Sequence, residues 1–338
     1  MKSPVTGKEM KPVYEKRTWV FRGETFTFNH LSWRDEESGE AFTTDESDTA
    51  GYMQVTNQYR EKYGIPYTDQ IVDIRNRYGL SSSKMSLILG FGANQYRRYE
   101  QGEVPSISNG RMIASAKNPT VMLGYLEGSK NELSEKEFEK IASRIRQFDT
   151  DNYRYMIHLY ETERIFASAR GLCNGFACRS LERLKNILLY VLDNCDDVFV
   201  TKMNKILFYI DFLSYKKYGS AITGLSYRAI DYGPVPERWD RVYCQFDEIS
   251  QKPGKKNNLE GFILTSSGKA NLSAFSEKEM AVINLVCSEL GTKNASQLST
   301  LSHKEEAWAK HKDKKELIPF DEAFSIQGID IGLIKNQD

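Results

Sequence analysis

The residues best suited to chemistry in this 338-residue chain sit in one short stretch, Gly92-Ala-Asn-Gln-Tyr-Arg-Arg-Tyr-Glu100. On a helix, Asn94, Gln95, Arg97 and Arg98 present amide and guanidinium groups, which pair bidentately with adenine and guanine edges in a DNA major groove. The charge around them agrees. Residues 70–125 carry seven Lys/Arg against three Asp/Glu, whereas residues 1–50 carry seven against ten and residues 181–325 twenty against twenty. A polyanion therefore has one basic region to bind, although 46 basic and 46 acidic residues leave the whole chain without net charge. The balanced third region suits a protein partner instead. Catalysis has no comparable support: His30, His158, His303 and His311 form no ligand set, and there is no phosphate-cradling glycine loop, Gly-x-Ser-x-Gly or His-Glu-x-x-His. His303, beside Glu305 and Glu306, reads as a structural histidine. The sequence predicts a binding protein rather than an enzyme, with no cofactor.

Base-reading side chains need a helical support, and the surrounding pattern supplies one. Helices are predicted at Asp69–Tyr78, Ser82–Leu89, Ala93–Gln101, Ser108–Ala116 and Thr120–Leu126, punctuated by Gly90, Gly92, Gly102 and Pro105. Upstream, Thr18-Trp-Val-Phe and Thr25-Phe-Thr-Phe-Asn flank an Arg22-Gly23 turn, the signature of a small antiparallel sheet, and a helix follows from Thr44 through Tyr59. Downstream, the polar stretch 129–150 reads as a connector, followed by a helix at Tyr153–Ala167 and apolar helices at Leu181–Leu192 and Lys202–Tyr218. In the last of these, Met203, Ile206, Leu207, Ile210 and Leu213 form a core stripe. The remaining face, Lys202, Lys205, Tyr209, Phe212 and Lys216, is either further core or the aromatic and basic mixture found in interface hot spots. The same two readings apply to Tyr227, Tyr232 and Trp239 around Gly233-Pro-Val-Pro236. The chain is thus predicted to be mainly α with a small N-terminal β knuckle, an α+β protein. Five cysteines, an odd number without a Cys-x-x-Cys pair, read as buried free thiols in a reducing compartment, and no apolar run approaches a transmembrane span. The expected location is the cytoplasm, with no membrane partner.

The stretch Leu80–Leu126 resembles the helix-turn-helix of MqsA-type antitoxins and lies on that pattern without a gap. The resemblance implies that Asn94 and Arg98 read bases and adds the position of Ser82, where the family usually has Gln; Arg97, Gln95 and Lys84 complete the DNA-facing set. It also implies a dimeric repressor that binds its own operator through this region. MqsA-type proteins open with a zinc knuckle, Cys-Pro-x-Cys-Gly and a second pair before Gly-Glu-x-Phe. Here the frame reads Ser3-Pro-Val-Thr6-Gly7 and Asp35-Glu-Glu-Ser38-Gly39-Glu-Ala-Phe42. Two serines, a threonine and an aspartate cannot replace four thiolates around zinc, so the knuckle is expected to fold without metal on hydrogen bonds across the same turns.

The segment from Lys205 to Pro236, with Leu301-Ser-His-Lys-Glu-Glu-Ala-Trp308, resembles the Panacea (SocA-like) domain over about residues 178–325. Proteins of that kind are mainly antitoxins that bind and silence a neighbouring toxin. The expected division is a metal-free knuckle at 1–50, a helix-turn-helix domain at 51–128, a helical connector at 129–176, a Panacea domain at 177–325 and a tail at 326–338. The resemblance implies an antitoxin and autorepressor whose partners are a cognate toxin and operator DNA. Its toxin-facing candidates are Lys205, Tyr209, Phe212, Lys216, Tyr227, Tyr232 and Trp239. The rival readings are a regulator whose third region senses another partner, such as a phage protein, and an adaptor that delivers a partner to a protease.

Overall fold

A computed structural model describes residues 1–150, 152–256 and 259–334, so residue 151 of the expected connector and residues 335–338 of the expected tail lie outside the described residues. The chain is mainly helical with small antiparallel sheets, the predicted α+β class. Its contacts divide into two units, Met1–Val55 with Thr162–Asp338, and Thr56–Glu161.

At the N-terminus, β1 (Lys11–Phe21), β2 (Glu24–Arg34) and β3 (Ala41–Phe42) form a sheet in that order. Arg22 and Gly23 make the predicted turn with φ of 52° and 83°, values that match the twist of a two-residue hairpin. The hairpin pairs Phe21 with Glu24 and runs to Lys11 opposite Arg34, longer than the short apolar runs alone indicate. Along β2, Phe26, Phe28, His30 and Ser32 alternate inward. They meet the first turns of α1 (Asp45–Tyr63), where Gln54 accepts from Asn29 N at 3.0 Å and donates to Asn29 O at 2.8 Å.

In the unit Thr56–Glu161, α2 (Thr68–Arg77), α3 (Ser82–Ile88), α4 (Gln95–Glu100), α5 (Ile107–Ser115) and α6 (Pro119–Gly128) lie close to the bounds their periodicity predicts. The starts of α3, α5 and α6 are set by hydrogen-bonding caps: Ser81 accepts from Lys84 N, Ser106 from Asn109 N and Asn118 from Thr120 N. The core gathers Ile71, Ile74, Met85, Ile88, Tyr96, Ile113, Met122 and Leu126. α7 (Glu135–Thr150) belongs to it rather than serving as a connector. Its polar composition hides an i, i+3, i+4, i+7 stripe of Phe138, Ile141, Ala142 and Ile145, all buried.

The remaining elements are α8 (Asn152–Ile165), α9 (Leu181–Asn194), α10 (Val200–Tyr218), β4 (Tyr227–Ile230), β5 (Gly233–Pro236), α11 (Trp239–Val242), β6 (Ile249–Lys256), β7 (Leu259–Ser266), α12 (Glu277–Leu290), α13 (Ala295–Ser302) and α14 (Glu306–Ala309). Strands β4 and β5 pair as one hairpin and β6 and β7 as another. The centre of this region is α10, in contact with α12, α13, β5, β7 and the 3₁₀ turn Phe320–Ser325. Residues 1–50, read from sequence as a separate domain, pack with this region. Tyr14 meets Phe324 with ring centroids 5.5 Å apart, and Lys217 pairs with Glu46 at 3.2 Å. Gly219 turns at φ 73° against the backbone of Ala50, where a Cβ would stand 2.6 Å from its carbonyl oxygen. The physical reason is size: a sheet this small cannot bury a core of its own.

Candidate functional site

α3 and α4 are joined by a turn that begins at Gly90, φ 66°. Two tyrosines fasten α4: the buried Tyr96 donates its hydroxyl to Ile71 O at 2.8 Å, and Tyr99 accepts from the Asn109 amide at 2.8 Å. Tyr96 N also donates to Ser86 Oγ at 3.0 Å, which locks α4 against α3. With the aromatic side held, Asn94, Arg97 and Arg98 are exposed. Their i, i+3 and i+4 spacing puts them on one face. Neither arginine forms an ion pair among the described residues, and the Asn94 side chain makes no cap bond. The other DNA-facing candidates are placed differently. Gln95 donates to Glu103 at 2.7 Å, Lys84 pairs with Glu137 at 3.1 Å, and Ser82 is half-buried.

The candidates on α10 have the opposite fate. Lys205, Tyr209, Phe212 and Tyr227 are wholly buried, which corrects their reading as a toxin-facing surface. A helix apolar on most faces is a central helix, and α10 buries its remaining polar groups by pairing them. Lys205 Nζ donates to Pro234 O at 3.0 Å, and burial pushes its pKa down to about 7. Tyr209 donates to Glu305 at 2.8 Å, and Glu305 also accepts from Gln327 N and Gly328 N at 2.9 and 2.8 Å. Asp211 accepts from Ile222 N, Thr223 N, the Thr223 hydroxyl and the Tyr227 hydroxyl. Burial raises the carboxyl's pKa, opposed by these bonds. Phe212 stacks on Phe320 at 4.4 Å.

The Gly-Pro-Val-Pro segment is β5, pressed against this network. Gly233 has φ 97°, and a Cβ there would stand 2.8 Å from Lys205 Nζ and 2.6 Å from Ser302 Oγ, so only glycine lets the strand approach the lysine. His303 stacks on Trp308 at 4.2 Å, and Trp308 donates to Ile230 O. Residues 203–309 match the family model of the SocA-like antitoxin, Panacea domain. The match falls inside the segment 178–325 that carries the resemblance and covers less than half of the chain. Searches of the curated proteins and of the solved structures returned no match.

Within the matched segment, Tyr232 and Trp239 are the aromatic candidates on the surface, 73% and 42% exposed. Lys216 is half-buried, donates to Ile326 O at 2.7 Å and lies 4.9 Å from the Tyr14 ring centroid. It lines a cleft of about 790 Å³ together with Tyr14, Trp33, Ile326, Ile329 and Asp330.

The structure also places the four knuckle positions Ser3, Thr6, Asp35 and Ser38. Ser3 Oγ accepts from Val5 N and Thr6 N at 3.1 Å, while Thr6 Oγ1 donates to Asp35 Oδ2 at 2.7 Å. Asp35 Oδ1 accepts from Glu37 N and Ser38 N. These are the expected hydrogen bonds across the two turns, and the bonds from the Ser3 and Thr6 hydroxyls hold the Asp35 carboxyl well below the usual carboxylate range. Asp211 and Glu305 escaped the sequence reading as network acceptors. For Asp211 the available signal was a carboxylate inside the apolar run Phe-Tyr-Ile-Asp-Phe-Leu.

Proposed function

We propose that this chain is the antitoxin of a toxin–antitoxin pair, silencing its toxin by direct contact and repressing its own operon. The observation that carries the first part is the match of residues 203–309 to an antitoxin family. Silencing is binding, not catalysis. Its contact surface includes Tyr232 and Trp239, because the other aromatic candidates are committed to the core. The second part rests on the exposed trio Asn94, Arg97 and Arg98 beside a basic helical surface, with Asn94 and Arg98 reading bases and Arg97 on phosphate. Reading a palindromic operator requires two copies, so the chain acts on DNA as a dimer through this region.

Growth rescue tests the reading. Co-expression with the product of the neighbouring gene should restore growth arrested by that product, and Tyr232→Ala with Trp239→Ala should weaken rescue while the variant stays folded. Rescue that requires a host protease would point to an adaptor. Failure to bind the neighbouring product would end the antitoxin reading.

A further inference from the structure

The ends of α9 and α12 bring two thiols together. Cys195 ends α9 as its C-cap, and Cys287 is buried in the last turn of α12. Both border Gly291, where a Cβ would stand 2.4 Å from Cys287 O and 3.3 Å from Cys195 Sγ, although 92 positions separate the two cysteines in sequence. Three further ties fix this juxtaposition. Asp196 N donates to Gly291 O at 3.0 Å, and Lys202 Nζ donates to Asp196 O at 2.5 Å and to Gly291 O at 2.6 Å, clamping the chain after Cys195 to the chain after α12. The Cys195 sulfur rests directly on the Gly291 backbone. The clamp also places an ammonium group beside the pair. Cys195 is partly solvent-accessible, whereas Cys287 is 6% exposed.

We propose that Cys195 and Cys287 form an oxidation site for hydroperoxides, closing to a disulfide that repeats in covalent form the clamp made by Lys202. The neighbouring Cys287 thiol, with the Lys202 charge adding to it, lowers the Cys195 pKa and favours the thiolate, the reactive form. The Cys195 thiol and burial raise that of Cys287, which keeps its proton until the second step. The Cys195 thiolate attacks the peroxide O–O bond, giving a sulfenic acid and releasing hydroxide or, from an organic peroxide, alkoxide. Cys287 then attacks the sulfenic sulfur, the S–S bond forms, and its thiol proton leaves with the sulfenic oxygen as water. Two thiols supply the two electrons that reduce the peroxide, so nothing further is needed. A thiol reductant reverses the change.

The test uses the full-length protein treated with hydrogen peroxide, quenched with an alkylating agent and mapped by mass spectrometry. The expected result is alkylation at three of the five cysteines, an intact mass two hydrogen atoms lighter before alkylation, and a linked peptide pair containing Cys195 and Cys287. In Cys287→Ser the second step is blocked, and dimedone should trap the sulfenic acid on Cys195. Cys195→Ser should lose both the trap and the link. All five thiols remaining alkylatable would overturn the proposal. So would oxidation confined to the exposed Cys244, or a link joining any other pair. The wild-type map requires no variant to fold, and circular dichroism checks the two that are used.

Discussion

Two helices in this protein carry nearly the same mixture of aromatic and basic side chains and use it in opposite ways. α4 buries Tyr96 and Tyr99 and leaves Arg97 and Arg98 exposed, with no ion pair among the described residues. α10 buries Tyr209 and Phe212 and takes Lys202 and Lys205 inside with them, each bonded to backbone carbonyls. The difference lies in what surrounds each helix. α4 is six residues on the outside of a small bundle, so one face must meet solvent. α10 is nineteen residues packed by helices, a hairpin and a 3₁₀ turn, so every face meets protein. An aromatic and basic pattern therefore marks a binding face only where the helix has an outside.

The largest expected effect tests the buried side. Phe212→Ala removes a ring stacked on Phe320 and wedged against Phe208 and Tyr227, and should lower unfolding free energy by about 3–5 kcal/mol in urea titration. A loss near zero would mean that Phe212 is not core. The counterpart on the open side is Arg98→Ala. It should leave stability within about 0.5 kcal/mol, as exposed substitutions do. Binding to the cognate operator should weaken by about 1–3 kcal/mol while random DNA is bound nearly as before. Equal weakening on both DNAs would assign Arg98 to phosphate.

A smaller effect follows from the lysine that burial holds near pKa 7. Between pH 7 and 9 Lys205 is mostly neutral in the folded protein and protonated in the unfolded chain, whose lysine pKa is near 10.5. The unfolded state binds more protons there, so stability should rise with pH, by at most about 1.4 kcal/mol per unit from this group, and should be flat below pH 7. Lys205→Met should remove that rise. Urea midpoints at a series of pH values would read it, and an unchanged slope in the variant would place the lysine in water.

Much of this was legible beforehand, and the failures have a common cause. The helices from α2 to α6 announced themselves through apolar spacing with glycine and proline punctuation, and the Arg22-Gly23 hairpin through its turn, because those signals are local. The buried face of α7 was missed because its five apolar residues sit among eleven polar and charged neighbours from Glu135 to Thr150. Lys205 could not be assigned from its own helix: its acceptor, Pro234 O, lies 29 positions away and is reached only because Gly233 has no side chain. The attachment of the knuckle to residues 162–338 rests on contacts such as Tyr14 with Phe324, more than three hundred positions apart, which no periodicity encodes.

The knuckle sharpens the comparison at the smallest scale, where the expected effect of one treatment is zero. Its two turns are joined by Thr6 and Asp35, with Ser3 and the amides of Glu37 and Ser38 completing the set. A cross-link built from hydrogen bonds should be indifferent to chelators, so EDTA should leave the melting temperature unchanged. Acid should matter instead. Because the folded Asp35 carboxyl ionises more readily than an unfolded one, its stabilisation is full above the ordinary carboxylate pKa and is lost as pH falls below it. Thr6→Val keeps the shape of the side chain and removes the donor, and should lower the melting temperature at neutral pH and reduce its sensitivity to acid. A chelator-induced drop in melting temperature in the wild-type protein would show that a metal ion, rather than the Thr6–Asp35 bond, holds the turns together.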